Sequence, residues 1–222
     1  MKQLIAALLT TLLATLPLLA RNDNDRMEAF GLVDVTTAAP DVIVSLMYAR
    51  ADNFTGVKLY NTLTRAYLHP VAAKSLAVAQ AELSRLHPGY RLKIYDASRP
   101  MSAQRLMYKV VQGTSKARYV SNPRNGGGLH NYGMAVDLTI VDAGGSELDM
   151  GTPVDHLGPE AHTDTEASML RRGILTKTQI DNRRLLRQVM VHGGFKPLGS
   201  EWWHFNRCTR AYARRHYNLI DF

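Results

Sequence analysis

Apolar residues recur along the chain at two periods, and each period predicts a kind of element. From Pro70 to Leu86, the residues Ala72, Leu76, Ala79, Leu83 and Leu86 fall three or four positions apart, which predicts a helix with one apolar face. His87-Pro88-Gly89 ends it. Thr178 to His192 repeats the pattern through Leu185, Leu186 and Val189, with Gly193 placed to cap it. Ser102 to Val111 reads as a further helix. Alternation marks the strands. In Arg91 to Asp96, Leu92 and Ile94 share a face. In Ala135 to Val141, Val136, Leu138 and Ile140 share one face, and Ala135, Asp137 and Thr139 share the other. Val42 to Tyr48 is β-branched and apolar, and Glu201 to Phe205 is aromatic after the Leu198-Gly199-Ser200 turn; both read as strands. Residues 21–30 are a polar lead-in, Asp52 to Gly56 a turn-rich loop, and Lys116 to Gly128 a long polar loop rich in glycine. There is no internal repeat and no low-complexity linker. Mixed helices and strands separated by turns predict a single α+β domain, with helices packed on a mainly antiparallel sheet.

The first twenty residues stand apart from this pattern. Lys2 precedes an uncharged, mostly apolar run from Leu4 to Ala20, after which the composition flips to Arg21-Asn22-Asp23-Asn24-Asp25-Arg26. A basic start, a short apolar core and a small residue at the break predict a secretory signal over residues 1–20 and a mature domain over 21–222. Leu18 at the −3 position departs from the small residue a signal peptidase favours, which leaves the cut position open. An uncleaved N-terminal anchor is the alternative. No later stretch is apolar enough to span a bilayer, so the mature protein is expected to be exported, periplasmic or extracellular, with no membrane span.

Composition narrows the chemistry. With 222 residues, the chain is long enough to bury roughly 70% of its unfolded surface without cross-links. Its 45% hydrophobic and 21% charged residues exclude a disordered chain. The lone cysteine, Cys208, excludes an internal disulfide and any zinc site built on several thiolates. A metal here must be held by histidines and carboxylates. The net charge of +8 comes from scattered residues with knots at Arg183-Arg184-Arg187 and Arg207-Arg210-Arg214-Arg215. No nucleic-acid-binding signature accompanies it, so no nucleic-acid partner is expected, and the charge reads as compatible with an anionic envelope.

Three segments carry candidate chemistry. Asp137 lies in an otherwise apolar strand, where a carboxylate is costly unless paired or bound to a cation. His130 precedes it by a turn at Gly133, so the two can converge. Glu201-Trp202-Trp203-His204 places an acid three residues before a histidine, and Arg99 ends a predicted strand in Asp96-Ala97-Ser98-Arg99-Pro100. Two imidazoles and one carboxylate make an open zinc site, which lowers the pKa of bound water to roughly 7. His130, Asp137 and His204 would hold the metal, Glu201 would move the proton, and Arg99 would polarise a carbonyl. Spacing alone leaves plainer readings open: a loop histidine, a structural carboxylate, a core histidine, and an arginine paired with Asp96 or Glu82. His156 and His162 read as loop residues, and one of Trp202 and Trp203 as core with the other on the cleft.

In order and number, these motifs resemble a known family. His130 with Asp137, then Glu201 with His204, is similar to the zinc signature of the D-alanyl-D-alanine metallopeptidases, a group that includes hedgehog-type domains. Tyr48-Ala49-Arg50-Ala51-Asp52-Asn53-Phe54-Thr55-Gly56, Ser98-Arg99-Pro100, Met150-Gly151-Thr152-Pro153-Val154-Asp155 and Glu201-Trp202-Trp203-His204-Phe205 resemble its D-Ala-D-Ala dipeptidase branch, related to the vancomycin-resistance enzyme. The resemblance runs from about residue 30 to the C-terminus. It implies one zinc per chain on His130, Asp137 and His204, Glu201 as base, Arg99 at the transition state, and a small D-amino-acid dipeptide as substrate. It also implies that Asp155 and tyrosines near Tyr48 and Tyr60 hold the substrate's amine. A zinc carboxypeptidase or endopeptidase acting on peptidoglycan stem peptides is the alternative activity, and a metal-holding binding module the non-enzyme rival. Two departures stand out. Members of the family it resembles commonly carry Ser two residues before the first zinc histidine, where this chain has Gly128. The resistance enzymes also work in the cytoplasm, whereas this chain is expected to be exported.

Overall fold

Two long helices support one face of a mixed sheet. The structure, a computed structural model, describes residues 22–222. The leader expected over residues 1–20 lies outside the described residues. In chain order the first half contains α1 (Asp23–Ala29), β1 (Val33–Asp34), α2 (Val35–Ala38), β2 (Ile43–Val44), β3 (Tyr67–Leu68), α3 (Pro70–Leu86), β4 (Arg91–Asp96) and α4 (Met101–Val111). The second half contains β5 (Ala135–Val141), α5 (Glu166–Arg171), α6 (Lys177–His192), β6 (Lys196–Leu198), β7 (Glu201–Asn206) and α7 (Arg210–His216). The main sheet runs β2-β4-β5-β7-β6, and β1 pairs with β3 in a separate ribbon. All pairings are antiparallel except β2 with β4.

Local chemistry sets the element ends. Pro70 suits the first turn of α3 because it has no N–H to leave unpaired, and His69 Nδ1 accepts from the Val71 amide. Thr176 and Gln179 form a reciprocal cap on α6. Gly193 follows that helix with an ordinary φ of −68°, and Gly194 takes the left-handed turn at φ +85°. Gly193 is needed for close approach instead: a Cβ there would sit 2.5 Å from the Ser75 carbonyl oxygen on α3.

Three expectations change. Val42 to Tyr48 pairs as a strand only at Ile43–Val44, after which Met47–Ala49 forms a 3-10 turn that aims Tyr48 inward. The polar lead-in holds α1, capped by Asn22 and anchored by buried Met27. The Lys116 to Gly128 loop contains 3-10 turns at Ser115–Tyr119 and Pro123–Asn125.

The sheet register builds the site. All seven residues of β5 are buried. Asp137 faces His204 on β7 and Asp96 on β4. Directly opposed residues point to the same side of a sheet, so these three side chains share one face. Asp96 reaches that face through a bulge. Ile94 faces Leu138, yet Asp96 faces Asp137, so Tyr95 is the extra residue. Strict alternation would put Asp96 with Leu92 and Ile94 on the opposite face; the bulge moves it to the side that carries the chemistry.

Candidate active site

A cavity of about 310 Å³ opens over this face. Tyr48, Arg99, His130, Asp137, Asp155, Glu201 and His204 all line it. His130 Nε2, His204 Nδ1 and the Asp137 carboxylate converge. The two nitrogens lie 3.1 Å apart, with 3.2 Å from His130 and 2.9 Å from His204 to Asp137 oxygens. Their ligand atoms all fall within 4.8 Å of one another.

The outward nitrogens explain why this trio fits a cation. His130 Nδ1 donates to the Ala97 carbonyl at 2.6 Å, and His204 Nε2 donates to Asn206 Oδ1 at 2.9 Å. With its proton on that outward nitrogen, a neutral ring at either place turns a lone pair toward the carboxylate, as metal-ligating histidines do. Two lone pairs and a carboxylate that close together repel unless positive charge sits among them. Asp137 is held far below the ordinary carboxylate range. Burial opposes its ionisation, but without a cation in the site proton-carrying His130 and His204 more than offset that through charge and hydrogen bonds.

Glu201 stands beside the trio, 4.0 Å from His204 Nδ1. Residues three apart on a regular strand point to opposite faces. Here the β5 ladder ends at His204, and the β6 partner register jumps from Phe205 to Glu201. That break lets Glu201 join His204 in the cavity. Burial pushes its pKa up to about 8, helped by the charges of Asp137 and Asp155.

Arg99 is 8% exposed and has two partners. Its Nε and NH2 donate to Asp96 Oδ2 at 2.9 and 2.5 Å, and NH1 donates to Gln104 Oε1 at 2.9 Å. The plainer pairing with Asp96 is thus present, while Glu82 pairs with Arg85. Both facts hold together: Asp96 fixes the guanidinium, and the guanidinium lines the cavity. Burial works against its charge, and Asp96, Tyr48, Tyr60 and Asp137 together outweigh burial to hold its pKa above the ordinary value.

Asp155 has a backbone φ of +64°, the one positive φ at a non-glycine among the described residues. Such a conformation persists where surroundings impose it. The Tyr48 hydroxyl donates to Asp155 Oδ2 at 2.6 Å. Asp155 is half-buried and lines the cavity, and burial raises its pKa to about 7, with Asp137's charge adding to the effect.

A family profile described as D-ala-D-ala dipeptidase matches residues 28–221. This chain belongs to the D-Ala-D-Ala dipeptidase family. It is a peptidase, and its mixed α+β domain agrees with that family's fold. Curated relatives named D-alanyl-D-alanine dipeptidase cover most of it. The one from Escherichia coli is 36% identical over 178 residues, covering 78% of this chain and 83% of that protein. The one from Streptomyces coelicolor is 30% identical, covering 71% and 82%. The one from Enterococcus faecalis is 26% identical, covering 78% and 89%.

Within this dipeptidase fold, Tyr60 is placed differently from the expectation that it touches substrate. It is buried off the cavity wall, and its hydroxyl donates to Asp96 Oδ1 at 2.6 Å. It holds the acid that holds Arg99. Trp202 and Trp203 are both buried, at 2% and 1% exposure, so neither lines the cleft. Trp202 Nε1 donates to Thr152 Oγ1, bracing the loop that carries Asp155. His156 pairs with Glu160 and His162 with Tyr119, both as loop residues. Spacing did not reveal Gln104 and Asn206, which carried no signal, and it offered Asp96 only as one of two ion-pair partners for Arg99.

Proposed function

We propose that this chain is a zinc D,D-dipeptidase that hydrolyses D-alanyl-D-alanine to two D-alanines. The observation that carries the substrate is Asp155. A strained, desolvated acid, bonded to Tyr48 and near enough to feel Asp137's charge, suits a free ammonium one residue from the cleaved bond. A longer peptide would leave that acid without its cation, which is the basis of rejection. The cavity sits at the small end of the usual range for ligand sites, again suited to a short substrate. The names of the relatives agree with this reading.

His130, Asp137 and His204 would hold the zinc. Bound by three protein ligands with a position open, zinc polarises a carbonyl and lowers the pKa of water to roughly 7. Glu201 takes the proton of the attacking water and delivers it to the departing amine. Its raised pKa suits the delivering half of that task. Arg99 donates to the oxyanion as the tetrahedral centre forms, and Asp96 and Gln104 keep it aimed. Asp155 and Tyr48 fix the amine.

We further propose that the chain is exported after loss of residues 1–20, acting outside the membrane in D-Ala-D-Ala salvage or wall-peptide trimming. The basic start and apolar run of the leader support this. Among the described residues no helix is long and apolar enough to cross a membrane. N-terminal sequencing of secreted protein tests it.

A substrate comparison tests the activity. Zinc-loaded protein should release D-alanine from D-Ala-D-Ala faster than from L-Ala-D-Ala or a stem pentapeptide. Preferential cleavage of the pentapeptide would establish the carboxypeptidase alternative instead.

A further inference from the structure

A dipeptide has two charged ends, and Asp155 accounts for one. The other, a carboxylate, lies about 3.5 Å beyond the scissile carbonyl, the length of one residue. The cavity wall near His130 offers donors for it. Ser121, Gly128 and Arg210 line that wall. Arg210 NH2 donates to Ser121 Oγ at 3.2 Å. As an acceptor in that bond, the hydroxyl keeps its own proton to give. Arg210 has no carboxylate within 4.0 Å among the described residues, so its charge is not neutralised by the protein.

Gly128 shows that the space is reserved for Ser121. Its φ of −111° is open to any residue, so conformation does not demand glycine. Space does. A Cβ on residue 128 would lie 2.6 Å from Ser121 Oγ and 3.1 Å from Ser121 Cβ. With the Ser121 side chain placed as it is, position 128 has no room for one of its own. Ser121 is also held in place. Its carbonyl accepts from Gln104 Nε2 at 2.7 Å, and fully buried Gln104 accepts from Arg99 at 2.9 Å. One buried amide therefore sets the distance between the Ser121 backbone and the arginine that meets the scissile carbonyl.

We infer that the Ser121 hydroxyl and the Arg210 guanidinium form a carboxylate subsite that reads the free C-terminus of the substrate. The inference rests on the dipeptidase reading for its ligand. It accounts for Gly128, because a side chain there would take the space that the Ser121 hydroxyl fills.

The test is equilibrium binding to zinc-loaded Glu201→Gln protein, with D-Ala-D-Ala and its C-terminal amide as probes. The free acid should bind roughly tenfold or more tightly than the amide. Ser121→Ala and Arg210→Met should each remove most of that preference. The double variant Ser121→Gly/Gly128→Ser, which moves the hydroxyl across the gap, should restore it relative to Ser121→Gly. An acid-over-amide preference that survives both single substitutions overturns the subsite. Wild-type turnover separates the two ideas. A protein inert toward D-Ala-D-Ala whose Glu201→Gln form still shows the Ser121-dependent preference keeps the subsite and loses the dipeptidase reading. An active protein whose preference ignores both residues does the reverse.

Discussion

Asp96 and Asp137 face each other across the β4–β5 ladder, and the Arg99 guanidinium lies against both, 2.5 Å from Asp96 and 3.7 Å from Asp137. Two buried carboxylates side by side would repel, so the arginine between them has a structural task. Asp96→Asn should keep the fold and the metal and lower kcat tenfold to a hundredfold, about 1.4–2.7 kcal/mol, because the oxyanion donor loses its anchor. Steady-state kinetics with metal analysis checks this. Asp96→Ala should be far more damaging to stability, on the order of 3–5 kcal/mol, since it leaves a buried cation without its partner.

The face on which Asp96 stands also shows where the sequence was legible and where it was not. Periodicity located α3, β4 and β5 with their observed limits, because each packs one regular apolar face into the core. It could not show the bulge at Tyr95, which reverses the facing of Asp96, nor the break in β7, which brings Glu201 to the side of His204. Both departures are pairing events between strands distant in sequence. α7 was read only as a basic knot because Ala213 is its one buried residue, too little to make a pattern. His130, Asp137, Glu201, His204 and Arg99 were legible as candidates because charged groups beside apolar strands are costly without a task.

Asp155 should shape the acid side of the pH profile together with Glu201. Burial raises its pKa to about 7, so below that pH the free protein holds it neutral and unable to pair with an ammonium. kcat/KM should therefore fall as pH drops through about 8 to 7, where Glu201 and then Asp155 take up protons. Asp155→Asn should lower kcat/KM and make that limb shallower, leaving the part near pH 8 that belongs to Glu201. The sign for stability is opposite to that of a salt-bridged acid. The folded state binds the extra proton, so this group's contribution becomes less favourable as pH rises from its unfolded pKa near 4 to about 7. Asp155→Asn should accordingly raise Tm relative to wild type at pH 8 more than at pH 4. Thermal melts at the two pH values check it.

Arg183 should act on substrate binding from a distance. This fully buried side chain donates to the carbonyls of Met150 and Glu160, one on each side of Asp155 in the chain. Glu166 keeps a bidentate pair with Arg187 in its absence. Arg183→Met should leave two carbonyls unpaired, costing about 1–3 kcal/mol each. KM for the dipeptide should rise more than kcat falls, with zinc content unchanged. A kcat loss at constant KM would place the role of Arg183 elsewhere.

Metal removal should weaken the fold as well as stop turnover. Chelation leaves the His130, His204 and Asp137 acceptors facing one another, and it also removes the stabilisation that any tight ligand gives the native state. Tm should drop on chelation and recover on adding zinc. His204→Ala should show the lower Tm without responding to zinc.

The most direct measurement is D-alanine release from D-Ala-D-Ala by wild-type and Glu201→Gln proteins, each assayed for bound zinc. Wild type should carry about one zinc per chain and turn over the dipeptide, as an open three-ligand site implies. Glu201→Gln should carry the same zinc and lose at least a hundredfold in kcat. A zinc-loaded wild type inert toward the dipeptide, or a Glu201→Gln protein of undiminished activity, would contradict the account.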